Sequence, residues 1–199
     1  MGFWADWQAS RVRRQRVEGY LSHLLREPDM APLQWLTLRA GSADVARREL
    51  VFARRAIGLI VAERDALDDR TAADVAHKLA PVVAAEARRD AAAGPLWAER
   101  WRAYTAALAV RGKSESPAAR LARVLLSGVG ITEPTADELE LTTAYVHDTR
   151  ANLNERLRLA FGAPHAPSAT QRARPHVVGE RRGAERQAEP LIEIGARVV

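Results

Sequence analysis

Helix boundaries are written into this chain at short intervals, and they constrain its fold more than any other feature. Two prolines in EPDMAP close a first segment over residues 3–27, and Ser42 in AGSADVARREL sits where a hydroxyl caps a helix running to about residue 67. Thr71 and Asp74 have the spacing of a capping box with Asp in place of Glu, opening a helix over 72–92 in which Pro81 is a kink or break. Gly94 and Pro95 restart the chain toward a stop at Gly112, and Ser116 and Pro117 repeat the device before the stop at SGVG. Thr135 with Glu138 forms a full capping box ahead of a last helix that reaches about Ala160. Between the first two segments, QWLTL reads as a short apolar connector.

Six helices joined by short loops predict an all-α fold, an antiparallel or orthogonal bundle over residues 1–162. A domain of that length buries roughly two-thirds of its unfolded surface, enough for a core. Val17, Tyr20, Leu21, Leu24 and Leu25 share a face of the first helix. On the helix opened by Ser42, Leu50, Phe52, Ala53, Ile57, Leu59, Ile60 and Val61 form a broad apolar face, and the strip Arg47, Arg54, Gly58, Asp65 is expected to face water. Trp97, Trp101, Tyr104 and Leu108 recur at helical spacing and read as the large side chains that fill space in an Ala-rich bundle. From 163 to 199 the texture changes to Pro and Arg with little apolar content, the composition of a disordered tail, which closes on the apolar segment LIEIGARVV.

The chain has no Cys, which excludes disulfides, thiolate metal sites and cysteine nucleophiles. No stretch approaches the apolar length of a membrane span and the first residues lack the order of a secretory signal, so a cytoplasmic location is expected. The formal charge is +5, and of 30 basic side chains only Lys78 and Lys113 are Lys, a skew that fits a GC-rich coding bias as well as phosphate recognition. Basic residues are balanced locally: Arg11, Arg13, Arg14, Arg16 and Arg26 stand among Asp6, Glu18, Glu27 and Asp29. The helix after SGVGITEP opens with acids that phosphates would repel, so no specific nucleic-acid partner is expected.

Two constellations carry possible chemistry. DALDD places Asp65, Asp68 and Asp69 at spacings that resemble the Mg²⁺-binding acidic motifs of helical prenyl-transferring enzymes, which need a second acidic motif on a facing helix. The available second motif is Asp137, Glu138 and Glu140, in which Glu138 already serves Thr135. Asp74 and His77 have the spacing of one half of a di-iron carboxylate-histidine pair, whose other half would have to come from His147 and Asp148, adjacent residues that diverge by about 100° on a helix. Turn and surface roles account for these residues without a metal. SGVG lacks a Lys and follows a helix, so it is a helix stop and not a phosphate loop.

The opening residues MGFWADWQASRVRRQR pose a different question. Phe3 and Trp7 are four apart, but the same face then meets Arg11 and Arg14 before apolar residues resume at Val17, so the first ten residues differ in role from residues 17–25. Three roles fit, in this order: a staple that closes the bundle's open end, a partner contact anchored by Phe3, Trp4 and Trp7, and a peripheral membrane contact pairing Trp with Arg.

These readings add up to a non-enzymatic accessory or scaffolding protein that binds a protein partner or self-associates. Its contacts would be Phe3, Trp4 and Trp7 together with Leu191, Ile192, Ile194, Val198 and Val199, and no cofactor is implied. The alternative is a metal-dependent helical enzyme built on Asp65, Asp68, Asp69 and His77; nucleic-acid binding ranks third.

Overall fold

The computed structural model describes residues 2–66, 69–110 and 114–162. Among the described residues seven helices follow one another: α1 (Gly2–Leu24), α2 (Met30–Ala40), α3 (Ala43–Asp65), α4 (Asp69–Arg89), α5 (Ala93–Ala109), α6 (Pro117–Gly128) and α7 (Ala136–Phe161). No strand occurs among the described residues. The fold is all-α, as the punctuation predicts.

Where a side chain caps its own helix, sequence and structure coincide. Ser42 accepts from the Val45 amide, Ser116 from the Ala119 amide with Pro117 behind it, and Thr135 and Glu138 make both halves of the capping box. Elsewhere the structure differs from the sequence reading. QWLTL is no connector: it lies inside α2, which tolerates Pro32 because the first turn needs no amide from it and which ends on Gly41 at φ 66°. Thr71 does not cap α4, which begins at Asp69; Thr71 is buried, and Asp74 pairs with Arg13 of α1 instead. The helix also continues through Pro81.

On α3 the strip expected to face water is mostly covered. Arg54 and Gly58 are buried and Asp65 is half-buried, so of the supposed water-facing strip Arg47 alone is exposed. The cause is position, since α3 packs against all six other helices and residues Phe52 to Gly58 are buried in an unbroken run. A helix enclosed on all sides must partner its own charges. Arg54 donates to the carbonyls of Arg26 (2.9 Å) and Glu27 (3.0 Å), tying down the turn between α1 and α2, and Arg55 grips Glu86 of α4 through two bonds of 2.6 and 2.7 Å. Gly58 admits Leu24, and its carbonyl accepts from the Tyr20 hydroxyl at 2.9 Å.

Core packing otherwise follows the apolar stripes. Val17, Tyr20, Leu21 and Leu24 are buried, and Trp97 meets Phe52 at 5.5 Å between centroids and stacks on Trp101, beside the buried Tyr104. His23 and Arg26 share a pocket with Asp148, Thr149 and Asn152, whereas Val12 and Arg16 share one with Phe161, so α1 runs antiparallel to α7. Asp65 meets Asn154, and Leu50 lies beside Thr142, so α3 runs parallel to α7.

Candidate interaction surface

Burial on α1 starts at Val17. Of the side chains described before it, only Arg13 is partly covered. Trp4 is 72% exposed and Trp7 is 48% exposed, so these rings do not staple the bundle's end. They rest on each other edge to face at 5.8 Å, and the Arg11 guanidinium lies over the Trp7 ring at 5.6 Å. Residues 4–16 therefore form an exposed arm about 20 Å long at helical rise, attached to the bundle at its base by the Arg13–Asp74 pair and by Val12 and Arg16 beside Phe161. The Phe3 side chain lies outside the described residues, as do Leu191, Ile192, Ile194, Val198 and Val199.

A second apolar feature was not legible in the sequence. α2 packs mainly on α3, and between α2 and α7 a groove of about 410 Å³ opens to solvent. Trp35 and Leu36 of α2, Leu50 of α3, Leu125 of α6, and Leu141 and Tyr145 of α7 line it. Leu141 on its rim is 50% exposed, and the Arg39 guanidinium meets Glu138 at 3.2 Å near the start of α7. The apolar lining is the kind that accepts a large side chain.

The acidic candidates are scattered. Asp65 accepts from the Asn154 amide at 2.9 Å and lies 3.9 Å from Arg150, which ties the end of α3 to α7. Asp68 and the side chain of Asp69 lie outside the described residues. His77 is exposed on α4, two turns past the helix start. Asp137 and Glu140 stand 17 and 14 positions before Asn154 on α7, which places the two acidic motifs roughly 21–26 Å apart along the helix. Among the described residues no three His, Asp or Glu side chains converge as metal ligands. Glu138 is held below the usual carboxylate range, first by its bond from the Thr135 backbone amide.

One buried polar cluster remains. Glu49 of α3 is fully buried; its Oε2 accepts from Arg100 Nε of α5 at 2.8 Å, while its Oε1 has no partner. Burial pushes its carboxyl up, and Arg100 and Arg48 oppose that shift. The Tyr104 hydroxyl is buried without a partner, and burial followed by the charge of Glu49 raises it well above the ordinary phenol value. This cluster is sealed in the core and binds α3 to α5. No helix among the described residues is long and apolar enough to cross a membrane. Neither the family models nor the curated proteins nor the solved structures compared with this chain include a match.

Proposed function

We propose that this protein works by protein–protein contact, as an accessory or scaffolding protein, and that the arm formed by the first turns of α1 is its contact element. The exposure of Trp4 and Trp7 on a helical segment ahead of the bundle's own core carries the reading. Exposed tryptophans cost solubility in a monomer and are the side chains that most often anchor interfaces, with Arg close behind. A helix presenting two tryptophans three positions apart offers the kind of anchors that a partner's groove accepts. The apolar segment holding Leu191, Ile192, Ile194, Val198 and Val199 is a second contact in this reading.

Deleting residues 1–9 tests it. The expected result is an unchanged thermal midpoint with loss of the co-purifying partner or of self-association. A fall in stability would return the aromatics to the role of a staple, and unchanged association would remove the arm from function.

The metal-dependent alternative, with Asp65, Asp68, Asp69 and His77, draws less support, because Asp65 is engaged by Asn154 and the second acidic motif lies at the far end of α7.

A further inference from the structure

Two apolar features lacking a partner lie on the described bundle, the Trp4–Trp7 arm and the groove between α2 and α7. We propose that the groove receives the arm of a second copy of this chain, so that the protein self-associates by exchanging arms. The inference rests on the arm being a contact element and names what it contacts.

Reach excludes the arm's own groove. Val12 and Arg16 lie beside Phe161, whereas the groove lies beside Leu141 and Tyr145, some 16–20 residues back along α7. At 1.5 Å per residue, and with Trp7 a further turn beyond Val12, the separation is about 30 Å along rigid helix. α1 is continuous from Gly2 to Leu24 and offers no hinge for the arm to fold back. Only another molecule can bring the two together.

Charge favours the pairing. In its first half α7 exposes Asp137, Glu140 and Asp148 and carries neither Lys nor Arg, while Glu138 is taken up by Arg39 of α2; Asp148 lies on the groove wall. The arm presents Arg11, Arg14 and Arg16 to solvent behind its tryptophans, against the single acid Asp6. A tryptophan entering the groove thus brings arginines over the acidic flank of α7, an arrangement that steers encounter and sets orientation.

Area sets the strength. An indole side chain buries about 150–250 Å², so the exposed parts of Trp4 and Trp7 leave roughly 250 Å² per arm. Reciprocal exchange doubles that, and the matching groove walls double it again, to roughly 1,000 Å² in all, the lower bound of a specific interface. A two-fold dimer of micromolar affinity is the expected product.

Sedimentation velocity of the full chain from about 5 to about 500 µM brackets that affinity. A concentration-dependent shift from monomer to dimer is expected, abolished by Trp4→Ala with Trp7→Ala and separately by Leu141→Arg, with thermal midpoints unchanged because all three side chains are exposed. The absence of native Cys permits a direct readout: chains carrying Gln8→Cys on the arm and Ala144→Cys on the groove wall, mixed under mild oxidation, should cross-link to each other and not to themselves. A wild-type chain that stays monomeric throughout, or cross-links only between like variants, would overturn the proposal. Association that survives both sets of substitutions but is lost on deleting residues 163–199 would also overturn it, and would assign self-association to the tail segment at a site other than the groove. If the chain is monomeric yet residues 1–9 still retain a separate partner, self-association alone falls and the arm keeps its role.

Discussion

Replacing Arg100 by Met would remove the one side chain bonded to the Glu49 carboxylate and leave that carboxylate fully buried. Arg100 is itself only 15% exposed, so the pair is largely shielded from solvent screening. A buried carboxylate stripped of its partner responds by taking up a proton. At pH 7 that uptake costs about 1.36 kcal/mol for each pH unit above the ordinary carboxyl value near 4.5, an upper bound of roughly 3.4 kcal/mol, because the wild-type carboxyl, itself raised by burial, already bears part of it. The figure agrees with the roughly 3–5 kcal/mol expected for breaking a buried ion pair from one side, and corresponds to about 6–14 °C in a domain of this size. The sign with pH follows from the raised carboxyl. A group whose folded value lies above its unfolded value contributes its stability below the unfolded value and loses it as pH rises through the folded one, and losing Arg100 pushes the folded value higher still. Denaturant titrations followed by circular dichroism should therefore show Arg100→Met costing up to about 3 kcal/mol at pH 7 and under about 1 kcal/mol at pH 5. Adding Glu49→Leu should recover most of the loss at pH 7. A deficit that is flat between pH 5 and 8, or a double variant no better than the single one, would refute this account of the pair.

Two further outcomes follow from local geometry. A Cβ at Gly58 would overlap the buried Leu24 side chain, whereas Gly19 has open space around it; Gly58→Ala should lose about 1–2 kcal/mol to overpacking after its gain in helix propensity, and Gly19→Ala should gain about 0.5–1 kcal/mol, both read by chemical denaturation. At the start of α7, Glu138→Gln keeps the capping bond but removes the charge that meets Arg39. Because the Glu138 carboxyl is held low, its advantage over Gln should be present above about pH 4.5 and vanish as pH falls through the lower folded value; a difference that persists in strong acid would contradict this.

Ser42, Ser116 and Thr135 were legible because a cap is settled within three or four residues of chain. Residues 30–40 were harder, since an 11-residue helix with Pro32 near its start gives periodicity little length to act on. Arg54 misled for a different reason. Its environment is made by α1, α2 and α7, which meet it only in the folded bundle, and nothing in its neighbours along the chain distinguishes an arginine facing water from one facing buried carbonyls. The break at Arg11 and Arg14 did separate the arm from the buried face that begins at Val17, but the direction of the tryptophans had to come from the packing of the bundle. The α2–α7 groove is a gap between elements far apart in sequence, so no local pattern announces it.

Read from composition alone, the excess of Arg over Lys looks like nucleotide bias, freely exchangeable at each position. The Arg120 side chain shows where that exchange would stop: it donates to the carbonyls of Ala107 (2.7 Å), Glu115 (2.6 Å) and Val110 (3.3 Å), joining the end of α5 to the start of α6. Arg54 reaches two carbonyls with one nitrogen and the Asp29 carboxylate with the other, and Arg55 holds a carboxylate by both oxygens. A single ammonium cannot reproduce that planar fork. At these sites the fold depends on the guanidinium whatever the origin of the Arg excess, and replacement by lysine would loosen the turns that hold the helices in order.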